Sequence, residues 1–265
     1  MQNLPFFTRD GDRYVPTTVS RGPWNPNSLH GRVIAGLLGH VIEQRHGDPA
    51  FTPARLTVDM YKLPDLSPIE VTTKVVREGQ RIKVVDAEFF SAGTSMARAT
   101  CQLLRRTENP LGVVWSPPNW DVPAPDSIPE PEDRRGGMGG MWTTRPISGG
   151  MPIGGGQRAD GPRRLWMSEV RDLAEGEPFT PFSRVAVACD FASPFANASD
   201  QGLGYINSDV SLYLHRPPTT RWVGFEAVNH HATDGVAIGE CWLYDEAGPI
   251  GTATVAALAQ KRSMA

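Results

Sequence analysis

Two stretches of this chain recur in the same order about 153 residues further on, and that repetition limits the possible folds more than any other feature. VDMYKLP at 58–64 pairs with SLYLHRP at 211–217, and ARATCQLL at 97–104 pairs with GTATVAAL at 251–258. The offset is 153 between Pro64 and Pro217, 154 between Ala97 and Gly251, and 152 between the helical stretches that begin at Ser28 and Thr180. A near-constant offset is the mark of a duplicated supersecondary unit. In 265 residues it leaves room for two units of ordinary size, 1–108 and 161–265, around a segment 109–160 of different composition.

Each unit opens with a strand and a helix. In SLHGRVIAGLLGHVIEQRH (28–46), Leu29, Val33, Leu37 and Val41 join Ile34, Leu38 and Ile42 in a broad apolar stripe. Asn27 or Ser28 can cap its start, and Gly47 can stop it in a left-handed conformation. Gly36 and Gly39 cost helix propensity and imply close approach to something flat, such as a sheet. In the second unit Thr180 is the cap and Pro181 the first helical residue. A strand near 11–19 precedes the first helix, and RRLWMSEV (163–170) precedes the second. After each helix the period falls to two, over about 54–63, 69–75, 81–91 and 94–106, then 206–215, 221–230, 235–244 and 249–260. Glu78-Gly79 and Ala92-Gly93 fit hairpin turns.

The middle segment is proline-rich over 109–132 and glycine-rich over 136–156. It reads as a surface connector, or as a lid whose Met138, Met141 and Trp142 reach into a ligand tunnel. No glycine run leads into Lys and Ser/Thr, so it is not a phosphate-binding loop.

A net charge of −3 offers no basic field to nucleic acid. No apolar run has the length of a membrane span, and MQNLPFFTRDGDRY has no signal-peptide pattern. Cys101, Cys189 and Cys241 are far apart and set in apolar stretches, which predicts buried thiols and the reducing cytosol, a cytoplasmic protein. His230, His231 and Asp234 lack a third ligand at recognisable spacing, so no metal and no cofactor is expected.

A long apolar helix wrapped by an antiparallel sheet, met twice, is the plan of a double hotdog, an α+β fold. RGPWNPNSLHG (21–31), PFTPFSRVAVACDFA (178–192), YINSDVSLYLHRPPTTRWV (205–223) and GECWLYDEAGPIGTA (239–253) resemble the acyl-CoA thioesterase II group of thioesterase-like proteins, of the actinobacterial type. That resemblance implies acyl-CoA, or a related acyl thioester, as ligand. It also implies a catalytic set of an Asp, a Ser or Thr, and a Gln. Asp209 stands on the Asp position, and His230, His231 or Thr233 in the loop NHHATDG stands on the hydroxyl position. The Gln position falls on Ala256, or on Val255 with the strand shifted by one, which departs from the family. Gln102 occupies the repeat-related place in the first unit, where Leu56 replaces the Asp.

Thioester hydrolysis needs a polarised carbonyl, an activated water and a dry acyl channel. The helix start at His30-Gly31 offers free N–H groups to an oxyanion, and glycine permits close approach. Asp209, beside Val210, Leu212 and Leu214, is the candidate base. The acyl channel would run between the two helices and the sheet, with His215-Arg216 near the CoA phosphates. Plainer readings stand beside these: Asp209 as a strand-edge carboxylate, His30 as an ordinary helix-start residue, His230 and His231 as a solvated hairpin tip. A MaoC-type enoyl-CoA hydratase would need Asp where Asn25 stands in NPNSLH, and an amide takes no proton. With Ala256 in place of Gln, binding of an acyl ligand without turnover is a further reading. Unpaired sheet edges predict a homodimer or higher oligomer.

Overall fold

The structure is a computed structural model that describes residues 4–130, 140–149 and 161–260. Helix α1 spans Gly31–His46. Its cap is His30, whose Nδ1 accepts the Arg32 N–H at 3.2 Å, in place of Asn27 or Ser28. Ser28 is spent on a turn, its hydroxyl donating to the Asn25 carbonyl. Gly47 ends the helix at φ −60, so the expected left-handed stop does not form. Its N–H reaches the Glu43 carbonyl so closely that a Cβ there would lie 2.4 Å from that oxygen. In the second half, helix α2 spans Pro181–Ala188 behind a Thr180–Ser183 capping box. A 3₁₀ turn at Cys189–Phe191 then leads into the short helix α3, Ala192–Asn197.

The strands of the first half are β1 (Phe7–Asp10), β2 (Arg13–Pro16), β3 (Phe51–Met60), β4 (Ile69–Glu78), β5 (Ile82–Ser91) and β6 (Thr94–Arg105). The single strand expected near 11–19 is thus a hairpin that turns at Gly11, φ 59. Next come β7 (Trp142–Ser148) and β8 (Arg164–Glu169), then the short β9 (Ala198–Ser199), β10 (Gly202–Leu203) and β11 (Tyr205–Asn207). The chain continues through β12 (Asp209–Leu214), β13 (Val223–Thr233), β14 (Val236–Asp245) and β15 (Gly248–Ala259).

All but β9 and β10 join one antiparallel sheet, in the order β1-β2-β4-β5-β6-β3-β12-β15-β14-β13-β8-β7, with β11 added beside β15. The seam is the β3–β12 pair, with Leu56 opposite Leu212 and Asp59 opposite Asp209. Outward from the seam the two sides repeat. β4 and β13, β5 and β14, and β6 and β15 each start 154 residues apart (223 − 69, 236 − 82, 248 − 94). The Ala92-Gly93 turn has φ values of 47 and 71, the left-handed pair of a two-residue hairpin.

The helices lie against each other on one side of the sheet. α1 is buried at every residue from Arg32 to Ile42, so it is enclosed rather than striped. Gly36 and Gly39 face α2 and not only the sheet: a Cβ on Gly36 would meet Val187 Cγ2 at 2.1 Å, and one on Gly39 would meet Ala186 Cβ at 2.8 Å. This contact brings the two helices together along the middle of α1.

The segment between the halves is more than a linker. Residues 107–119 are exposed and unpaired, but Trp120 stacks on Tyr244 at 4.3 Å and stands edge-on to Trp166. Trp166 Nε1 donates to the Pro123 carbonyl at 3.0 Å, and β7 pairs along β8. Met138 lies outside the described residues, whereas Met141 and Trp142 are buried.

Candidate active site

A cavity of about 650 Å³ opens where the N-terminus of α1 meets the 3₁₀ turn before α3. Its floor includes His30, Gly31, Trp142, Asp190 and Phe191, and Asn207 and Ser208 form its side toward β12. The Gly31 N–H, at the first helical position, has no acceptor within the helix and stands at the positive end of its dipole.

His30 is held neutral. Burial and the Arg32 charge push it down to about 3. Because Nδ1 accepts the Arg32 N–H, the ring proton belongs on Nε2. The 3.7 Å approach of Nδ1 to Asp190 Oδ2 is therefore not an ion pair. Asp190 is buried, and burial raises its carboxyl pKa, against a lowering by the Asn207 hydrogen bond and the Arg32 charge. Asn207 Nδ2 donates to Asp190 Oδ1 at 2.9 Å and to the Asp209 carbonyl at 3.0 Å. The carboxylate lies so close over Gly31 that a Cβ there would be 2.8 Å from Oδ2. Glycine is needed at this point for space, not for an unusual φ.

A buried ion pair supports this arrangement from behind. Arg32 pairs with Glu169, both almost completely buried, and its guanidinium lies 4.0 Å over the Trp142 ring that walls the cavity. A buried cation of this kind keeps its charge only with such a partner.

Of the residues singled out from the sequence, His30 and Gly31 line the cavity. Asp209 is half-buried at the start of β12, outside the cavity wall. Its Oδ1 accepts the Ala256 N–H at 2.6 Å, and burial raises its pKa while that hydrogen bond lowers it. His230, His231 and Thr233 do not form a loop. They lie in β13, and only Asp234-Gly235 turns, with φ values of 51 and 80. His230 Nδ1 lies 2.8 Å from Asn197 Oδ1, while His231 and Thr233 are exposed opposite Ile238 and Val236. β14 and β15 separate β13 from β12, which places this group three strand spacings, about 14 Å, from Asp209.

Gln102 sits on β6 opposite Arg55 and Val84, and Leu56 is buried in the seam. Arg216 does not reach the cavity. It forks onto Asp245, with two nitrogen–oxygen distances of 2.6 Å, and also donates to the Gly248 carbonyl. His215 Nε2 is engaged with the Pro249 carbonyl. Asn25 is exposed in the turn before α1, accepting from Asn27 N–H, and takes no part in the cavity. Among the described residues no group of three or more His, Cys, Asp or Glu is arranged to hold a metal ion.

Sequence reasoning passed over Asp190 and Asn207. The available signal was a single carboxylate inside VAVACDFA, an apolar helical stretch where an acidic residue is costly unless it is used.

The chain matches two family profiles in chain order, one described as the acyl-CoA thioesterase N-terminal domain over residues 20–104 and one as the acyl-CoA thioesterase C-terminal domain over 121–258. Among solved structures it is similar to the tesB protein of Mycobacterium avium subspecies paratuberculosis, with 15% identity, a TM-score of 0.68, and 96% of this chain and 95% of that one covered. It is also similar to a hot dog fold protein of Alicyclobacillus acidocaldarius, with 17% identity, a TM-score of 0.73, and 96% of each chain covered. A third is the acyl-CoA thioesterase II TesB2 of Mycobacterium marinum, with 15% identity, a TM-score of 0.65, and 96% and 95% covered. No curated protein sequence matches the chain. At these identities the structures establish the α+β hotdog fold, and the profiles, spanning most of the sequence, establish the lineage. The chain belongs to the acyl-CoA thioesterase family.

Proposed function

We propose that the protein hydrolyses an acyl-CoA thioester to the free acid and CoA, in the cavity at the start of α1. One observation carries this reading: Asp190, His30 and the Gly31 N–H meet on the floor of a single cavity. A thioester carbonyl oxygen at the Gly31 N–H would gain its stabilising donor as negative charge develops. Water held at Asp190 loses a proton to the carboxylate as its oxygen attacks the carbonyl carbon. The tetrahedral intermediate then collapses, the C–S bond breaks, and the proton returns from Asp190 to the departing thiolate. A carboxyl pKa raised by burial suits that exchange. The Nε2–H of neutral His30 adds a donor without adding charge.

In this reading Asp209 is a positioning residue. Its carboxylate holds the Ala256 N–H, and its carbonyl holds Asn207, so it fixes the segment that orients Asp190. The cavity walls and the thioesterase II relatives support acyl-CoA as the ligand class. We also infer two fused hotdog units, from the mirrored strand order and the 154-residue recurrence, with β7 belonging to the second unit through its pairing with β8.

The test is steady-state release of free CoA from acyl-CoAs of several chain lengths by the parent, Asp190→Asn and Asp209→Asn. Loss in Asp190→Asn with intact binding supports the assignment, and equal rates in parent and Asp190→Asn refute it.

Binding without turnover is the second reading, favoured by Ala256, whose methyl side chain cannot orient a water. Ala256→Gln should raise turnover if only that amide is missing. A flat rate with binding preserved supports a binding protein.

A further inference from the structure

The water that Asp190 deprotonates needs a second anchor. Held by one hydrogen bond, a water turns about it. Held by both hydrogens, it keeps a lone pair in a fixed direction, as attack on a carbonyl carbon requires. Two acceptors on the cavity floor are already engaged. Asp190 Oδ1 takes the Asn207 amide N–H at 2.9 Å, and His30 Nδ1 takes the Arg32 N–H at 3.2 Å. Asp190 Oδ2 is left for one hydrogen of the water, and the other calls for an acceptor beside it.

Ser193 supplies that acceptor. It is the second residue of α3, 2% exposed, and it lines the cavity. A helical serine can bond back to a carbonyl one turn earlier. Here, among the described residues, its hydroxyl has no protein partner and is not sealed off, so it faces the cavity. Buried hydroxyls are otherwise nearly always bonded. Asp190 and Ser193 are three residues apart, where the 3₁₀ turn Cys189–Phe191 runs into α3. Residues at that spacing share a face, with Cβ atoms about 5–6 Å apart. One water bonded to both oxygens spans such a gap.

We propose that Ser193 positions the attacking water, its oxygen accepting the hydrogen that Asp190 does not take. In the hydrolysis proposed for this cavity, on which this assignment rests, the water oxygen bonds to the carbonyl carbon. Its other proton passes to Asp190 Oδ2, and the carbonyl electron pair moves to the oxygen at the Gly31 N–H. When the C–S bond breaks, the thiolate takes the proton from Asp190. Ser193 ends the cycle unchanged, neither nucleophile nor base.

The test is steady-state CoA release by the parent, Asp190→Asn, Ser193→Ala and Ser193→Thr over a range of pH. Ser193→Ala should lower kcat by about 10- to 100-fold, the cost of a misplaced reactant. KM should hold, because no ground-state contact is lost. The pH at half-maximal kcat/KM should stay that of the parent, since Ser193 carries no charge; altered packing around Asp190 would move it. Ser193→Thr keeps the hydroxyl and should keep most of the rate. Ser193→Ala at the parent's rate, a rise in KM at unchanged kcat, a displaced pH limb, or a threonine variant as slow as the alanine overturns the assignment. So does an acylated Ser193 in the quenched parent by mass spectrometry, which would make it the nucleophile. Loss of CoA release in Asp190→Asn with Ser193→Ala unaffected strikes Ser193 alone. A parent that releases no CoA strikes the hydrolysis itself, and this assignment with it.

Discussion

Asn207 Nδ2 donates to Asp190 Oδ1 across 2.9 Å, a bond from the strand beside the seam to the turn between α2 and α3. With a second bond to the Asp209 carbonyl, one amide aligns two carboxylate-bearing segments at the cavity. The donor also favours the ionised form of Asp190, which burial opposes.

Asp190→Asn should lower CoA release by about 10² to 10⁴, the usual share of a positioned general base. It should also raise the melting temperature at neutral pH. The folded carboxyl pKa is raised, so the stability linked to this group is present below the unfolded value and lost as pH rises through the folded one. The amide removes that loss. Melting curves at pH 4 and pH 8 check it, and a gap between parent and variant that does not widen toward pH 8 counts against a buried, uncomfortable charge.

His30 predicts acid sensitivity. Its pKa is lowered from 6.5 to about 3, so the native state resists protonation and stability falls as pH drops from 6.5 toward 3. His30→Asn keeps an acceptor for the Arg32 N–H and removes the titration. Melting temperature plotted against pH should therefore be flatter below pH 6.5 in the variant.

Gly31→Ala tests the crowding under Asp190. The added methyl would stand 2.8 Å from Oδ2, so the carboxylate must move. A helix gains from alanine, so folding should survive while turnover falls by at least tenfold. Unchanged turnover would mean that Asp190 does not need its observed place.

Gly36→Ala addresses the helix contact. Its Cβ would lie 2.1 Å from Val187 Cγ2 and 3.3 Å from Val187 Cα, so α2 itself must shift. The cost, about 1–3 kcal/mol for overpacking, exceeds the roughly 1 kcal/mol of helix propensity gained. Chemical denaturation should show the loss, and adding Val187→Ala should recover much of it.

The period-two strands, the Ala92-Gly93 turn and the Thr180-Pro181 helix start were legible in the sequence because each depends on residues a few positions apart. The family resemblance extended that reading to the whole hotdog sheet. The site was legible only at His30 and Gly31, where the helix start announces itself locally. Asp190 gains its meaning from Gly31 and Asn207, brought to it by the docking of α1 on α2 and by the β3–β12 register. His231 and Thr233 lie on the outward face because strand residues alternate, and a shift of one residue would have reversed them. Gly36 and Gly39 announced a close neighbour, but only the packed helices decided that it was α2, because the partner of a flat surface is a long-range choice that local spacing does not encode.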